Sequence, residues 1–366
     1  MALFPRKDEM PHKVSTKKAQ LSEEYQRSAG RKVLFLILLV IAIVLLAGVA
    51  ATVGSANISV LEVYNTILAK FFPGHFQTTW FADAIVWGLR LHRILLAIAA
   101  GMGLAIAGAV MQGILRNPLA SPFTLGISSA ASFGAALAIV LGAGFVGGEW
   151  MIIANAFIFT LIASFGVYGL AKYKGITPET MILAGIAIMY LFQAMTSFLQ
   201  YVGGSEQVQE VVFWMMGSVG RSSWTKDAIV FAVIAICFPY LWLKSWDINA
   251  MGAGDETATS LGVNVERTRI ISLFLVSLIT ASVICFTGTI GFIGLVAPHI
   301  ARMMIGGDHR FLLPASALVG GLLLVGADTV ARTILAPVIL PVGIMTAFLG
   351  IPFFIYLFLK RNREFW

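Results

Sequence analysis

Charge is what this 366-residue chain has least of: Asp, Glu, Lys and Arg together make up 12% of it, about half the share an ordinary soluble domain carries. With 58% hydrophobic residues and a mean hydropathy of +0.88, that scarcity excludes a soluble domain and identifies an integral membrane protein. Cysteine is nearly absent as well. Cys237 and Cys285, the only two, both sit in apolar runs, so a disulfide framework and a cysteine-held metal are excluded and both read as small core residues. No H-E-x-x-H pair is present, so no metal site is expected. Nor is there a G-x-x-x-x-G-K-[ST] loop, so a pump of this kind draws its energy from another subunit. The centres of the apolar spans lack Asp, Glu and His, which an ion-driven carrier uses in mid-membrane. Asp328 is the nearest exception, and its place four residues before Arg332 suits an ion pair better than a proton relay.

Length is what the apolar runs do have. Windows of about twenty residues, enough to cross the hydrocarbon core as helices, centre on 33–53, 93–113, 151–171, 179–200, 227–243, 270–287, 312–330 and 342–359. Two shorter Gly-rich ones lie at 122–142 and 289–305, and the expected fold is therefore an all-α, polytopic membrane protein with ten spans in a single domain over 33–363. The basic residues follow this topology. With both termini placed in the cytoplasm, nineteen of the 25 Lys and Arg fall inside and six outside, as the positive-inside rule requires. The net charge of +7 thus marks cytoplasmic loops and gives no reason to invoke nucleic acid. Residues 1–32 read as a basic cytoplasmic tail, disordered or lying on the anionic leaflet. A cleaved signal peptide ending near VGSA is the rival reading of residues 1–56, but its leader is long and its apolar run too extended. Residues 54–89, rich in aromatic and polar side chains, read as an external cap with Trp80 and Trp87 near the interface.

Within the spans, small residues recur every fourth position: Gly101, Ala105, Ala109 and Gly113 on one helix, then Gly126, Ala130, Gly134 and Ala138 on the next. That spacing puts each set on one face, where backbones approach closely. His299 reads as a hydrogen-bonded packing residue. One inside loop, 247–269, is the longest polar insertion between inner spans. Asp255 and Glu256 suit a helix start and Gly262 a helix stop, with Ala258 and Leu261 three apart as a small apolar face. Such a helix either closes a loop or serves as a lever for a soluble partner.

Four motifs carry a resemblance: RLHRILLAIAAGMGLAIAGAVMQGILRNPLASPFTLGIS, GDETATSLGV, GTIGFIGLVAPHIARMMIGGDHRFLLP and ADTVARTILAPVILPVGIMTAFLGIPFFIYL. In this order, over residues 85–360, the chain resembles the FecCD-type permeases, membrane subunits of ATP-binding-cassette importers for iron-siderophores, haem and cobalamin. The resemblance implies the type II importer permease fold in the cytoplasmic membrane. It also implies a second permease subunit, identical or similar, two ATPase subunits that bind ATP and Mg, and an extracytoplasmic substrate-binding protein. No cofactor is implied for this chain. Arg90, Arg93 and Arg332 match the family's external arginines, which receive glutamates of the binding protein. The segment Gly254, Asp255, Glu256, Ala258, Leu261, Gly262 matches the coupling helix that fits a cleft on the ATPase. Ferric siderophores are the expected cargo, with haem and cobalamin as alternatives, and an ion-coupled carrier is the alternative of another class. The chain departs from the pattern at Leu91-His92, where relatives often have Leu-Pro, and at GSEQVQE, residues 204–210.

Overall fold

A computed structural model of the protein describes residues 10–54, 58–72 and 74–359. It is helical, with no strand among those residues. Helix α1 spans Met10–Thr52. Two short helices, α2 (Val60–Phe71) and α3 (Trp80–Ile85), precede a π turn at Val86–Arg90 and then α4 (Leu91–Ile114). Next come α5 (Ile127–Leu141), α6 (Met151–Lys174), α7 (Pro178–Val202) and α8 (Ser205–Met215). Helix α9 (Trp224–Leu243) leads into two small helices, α10 (Ser245–Gly252) and α11 (Asp255–Ser260). Four more close the chain: α12 (Val265–Thr287), α13 (Ile293–Ile305), α14 (His309–Thr333) and α15 (Val342–Leu359).

Among the described residues, seven helices are long and apolar enough to cross a membrane, and three shorter apolar ones occupy 127–141, 293–305 and 342–356. These coincide with the ten expected spans, with three differences of extent. Helix α1 begins at Met10, so of the two readings of the tail, disordered or lying on the leaflet, residues 10–32 are helical and not disordered; the run KKAQLSEEYQR consists largely of good helix formers. Residues 1–9 and the C-terminal cations from Lys360 on lie outside the described residues. The rod that contains α4 starts at Trp80, because α3 runs through the π turn without a break, and only α2 and its flanks are left to a separate cap. The two Gly-rich spans are shortened at their starts. Positive φ at Gly126 (74°) and at Phe292 (67°) places an irregular segment ahead of Ile127 and of Ile293.

Caps explain several boundaries. The side chains of Ser223, Asn264 and Asp308 accept the first free N–H groups of α9, α12 and α14, and Thr177 and Thr180 cap α7 reciprocally, with Pro178 in its first turn. Helix α4 is the centre of the bundle. Its neighbours are α14, α12, α13 and α9, while α5, α6 and α7 pack as a group reached through α12, and α1 lies along α14. Cys237 and Cys285 are both buried. By contrast α7 exposes Leu183, Tyr190, Leu191, Phe198 and Tyr201, and α1 exposes Val33, Leu34, Val44 and Leu45, the pattern of helices that meet lipid or another subunit.

Candidate functional site

The small-residue ladder puts backbone against backbone. A Cβ on Gly101 would fall on the Gly320 carbonyl, and one on Gly108, a position the fourfold ladder skips, would collide with the Gly294 carbonyl. Ala105 packs against Gly320 from the same face, and Ala109 is fully buried. Gly113 faces Ile248 of α10 and the His309 ring, whose Nε2 lies 2.7 Å from where a Cβ would sit. On α5, Gly134 abuts the Asn155 carbonyl, whose oxygen would lie only 2.5 Å from a Cβ there, and Ala130 and Ala138 are buried. Gly126 is the N-cap of α5 rather than a rung inside it, because its left-handed φ belongs to the preceding turn.

At one end of α4 lie the three arginines. The last carbonyls of α1 have no partner within their own helix, and two guanidiniums fill that need. Arg90 Nη1 donates to Ala51 O at 2.8 Å and Thr52 O at 3.2 Å. Arg332 donates from Nη1 to Val53 O at 3.0 Å and from Nη2 to Ala50 O at 3.2 Å. The carboxylate of Asp328 joins the remaining pieces. It accepts from Arg93 Nη2 at 2.7 Å and Nε at 3.1 Å, and from Arg332 Nε at 3.1 Å. The pair expected between Asp328 and Arg332 is therefore one half of a shared bridge that ties α4, α14 and α1 together. Arg90 is 5% exposed and Arg332 7%, so these guanidiniums are committed inward, where the sequence reading displayed them to the outside. Three cations against one anion still leave the cluster positive. His92, between Arg90 and Arg93, is buried, and its Nδ1 lies 2.6 Å from Ser222 Oγ ahead of α9; this departure sits at a packing contact.

The opposite end of α4, about 32 Å away along a helix that rises 1.5 Å per residue, carries the 247–269 segment. Gly254 (φ 115°) and Gly262 (φ 86°) bracket α11. Ala258 is fully buried while Leu261 is 69% exposed, so the two do not form one apolar face: Ala258 seats the helix and Leu261 projects from it. Glu256 points to solvent, but Asp255 turns inward. Both its oxygens accept from Arg269 Nη2, at 2.9 and 3.1 Å, and Arg116 lies 3.8 Å away. Arg269 itself is 1% exposed. Nothing in the local sequence marks it as the partner of Asp255. Beside it, α10 is held to the start of α14: Asn249 bonds Asp308 and His309, and the Arg310 guanidinium lies 4.0 Å over the Trp246 ring. Burial pushes the Asp308 carboxyl up, but hydrogen bonds from Arg310 and Asn249 pull harder and hold it at about 2.

Asp227 belongs to no motif in the sequence, and His299 takes the hydrogen-bonded packing place expected of it. Asp227, in the first turn of α9, is 3% exposed and neither of its oxygens has a hydrogen-bond partner; its signal was a carboxylate at the edge of an apolar window. His299 bonds Leu295 O at 2.9 Å and packs edge-on against Phe354.

From residue 25 to residue 360 the sequence matches the FecCD transport family. A Methanocaldococcus jannaschii protein provisionally named an ABC transporter permease is 46% identical over 353 residues, 94% of this chain and 99% of that one. The cobalamin import system permease protein BtuC of Halobacterium salinarum is 43% identical over 299 residues, 81% of this chain and 79% of that one. A solved structure described as the inward-facing conformation of an ABC transporter, provisionally of metal-chelate type, superposes with a TM-score of 0.78 at 31% identity, covering 89% of this chain and 99% of that one.

Proposed function

Because this chain belongs to the FecCD transport family, we propose that it is the permease of an ATP-driven importer for metal chelates, with a ferric siderophore as first cargo and cobalamin as second. Cobalamin is favoured by the 43% identity to a cobalamin permease. A carrier driven by an ion gradient alone finds no support among the relatives. In this reading a second permease subunit completes the translocation path, two ATPases sit on the cytoplasmic side, and a binding protein delivers cargo from outside. ATP binding and hydrolysis move the ATPases, the 254–262 segment passes that movement to the bundle, and the path opens alternately to the two sides.

The observation that carries the proposal is the form of α11 in a chain of this family: a six-residue helix, seated by Ala258 and projecting an exposed Leu261 from the end of the bundle. An apolar side chain held out in this way suits a cleft on a soluble partner. At the arginine end, the surplus of positive charge attracts carboxylates of a binding protein. Since Arg90, Arg93 and Arg332 already hold internal acceptors, docking there is an exchange of acceptors and not capture by idle arginines.

The test is reconstitution in proteoliposomes with the cognate ATPase and binding protein, supplied with radiolabelled ferric siderophore or cobalamin. ATP-dependent uptake that survives ionophores is the expected result, and uptake that an ionophore abolishes would overturn the proposal. Leu261→Asp is expected to lose the ATPase on co-purification while the permease still elutes as a single folded species in detergent.

A further inference from the structure

We infer that Arg269 and Asp255 form the joint through which α11 drives α4, which makes Arg269 a positioning residue for energy coupling. This inference rests on the reading of α11 as the contact for an ATPase.

By itself α11 is badly placed to transmit force. It has six residues, and the glycines that bracket it hold conformations other residues rarely adopt. Such a piece pivots unless something fixes it. Arg269 supplies the fixing, because one guanidinium on α12 reaches three separate parts of the chain. Its Nη2 holds the carboxylate of Asp255, the first residue of α11. Its Nε donates to Ile114 O at 3.1 Å, a carbonyl at the end of α4 that no helical N–H can reach. Its Nη1 donates to Ile176 O at 2.8 Å, in the link between α6 and α7. The side chain is 1% exposed, so water reaches these bonds only from the side of the Asp255 carboxylate, 32% exposed, and a planar fork with fixed donor directions resists the shear that a single bond would allow.

The element on the receiving side is equally stiff. Helix α4 meets α14 at Gly101 and Gly320, and α13 at Gly108 and Gly294, through backbone contacts with no side chain between to rearrange. Its far end holds Arg93, bonded to Asp328 of α14. A displacement of α11 therefore arrives at the arginine end with no hinge along α4, and through Ile176 it also reaches the start of α7. Arg116 adds a second, looser cation at Asp255, 3.8 Å away and 36% exposed.

A joint differs from a mere packing contact in what its loss does to the ratio of cargo moved to ATP spent. Arg269→Lys keeps the charge beside Asp255, but one ammonium on a flexible stem cannot also hold Ile114 O and Ile176 O. Asp255→Asn keeps the shape and removes the charge that locks α11. In proteoliposomes with wild-type ATPase and binding protein, both variants are expected to assemble and to hydrolyse ATP within about twofold of wild type. Cargo moved per ATP is expected to fall by about tenfold or more, the size of an ordinary coupling free energy. Arg116→Ala is expected to stay near the wild-type ratio. An unchanged ratio in both variants would overturn the joint, as would an equal loss of assembly, hydrolysis and uptake, which marks a structural bond only. If wild-type complex shows no ATP-dependent uptake, the proposed function fails first; if wild type transports, only the joint is being judged.

Discussion

Replacing Asp328 by Asn tests the arginine end most sharply. The change preserves shape and removes one charge from a site where Asp328 is 1% exposed and Arg332 7%. Two guanidiniums that shared a carboxylate then face each other across a neutral amide, with Arg90 close behind. Taking one partner from a buried ion pair costs about 3–5 kcal/mol, because the remaining charge stays buried without compensation. Part of the Arg93 side chain, 13% exposed, still reaches solvent, so the lower half of that range applies, about 3–4 kcal/mol. In a chain of this size each kcal/mol moves the melting midpoint by roughly 2 °C, giving a fall of about 6–8 °C. The assay is intrinsic-fluorescence melting of the purified permease in detergent, for wild type, Asp328→Asn, Arg93→Met and the double variant. Because Arg93 and Asp328 touch, the two losses should fail to add by about 1–3 kcal/mol. A midpoint within about 1 °C of wild type, below the effect of a single kcal/mol, would refute the bridge as a brace and leave the arginines available to an outside partner.

Other consequences can be checked alongside. Gly108→Ala drives a methyl into the Gly294 carbonyl, and since backbone cannot step aside as a side chain does, the loss should reach the upper end of overpacking costs, about 3 kcal/mol, read as a lower melting midpoint. Gly169→Ala, on α6 with nothing within 4 Å, should instead gain up to about 1 kcal/mol from helix propensity. The Asp308 carboxyl is held at about 2 against an ordinary 3.8. Its folded value is depressed, so its contribution of about 2 kcal/mol is complete above pH ~4 and is lost as pH falls towards 2. Asp308→Asn, which keeps a capping oxygen, should therefore melt at a midpoint less sensitive to acid over that interval, and equal acid sensitivity would contradict the assignment.

Spans and short helices were legible in the sequence for different reasons. Seven of the apolar helices announce themselves because lipid demands about twenty apolar residues in a row, a signal that survives any detail of packing. Where α5 and α13 begin is not announced. Pro122 and the glycines around 288–294 mark irregular backbone, but the positive φ falls on Phe292, a non-glycine residue whose ring packs against Gly350 and Phe354 far along the chain. Local spacing suggested Asp328 with Arg332, four apart on one helix. The bond from Arg93 spans 235 residues and has no local trace. The same limit hid Arg269, whose partner Asp255 is fourteen residues away across a turn and whose other two acceptors are backbone carbonyls without side-chain identity. Likewise Ala258 and Leu261 share a spacing but not a surface, because α11 ends between them at Ser260.

The burial of both cysteines has a practical meaning for following this machine in motion. Cys237 is 1% exposed and Cys285 4%, so a maleimide meets no native thiol and the wild-type chain is already a background for site-directed labelling. Single cysteines can be introduced at exposed positions such as Leu61 on α2 and Glu256 on α11, and a membrane-impermeant reagent applied to sealed vesicles then assigns each to a side of the bilayer. Spin labels at the same two sites would turn the distance between the ends of the bundle into a direct readout of the transport cycle.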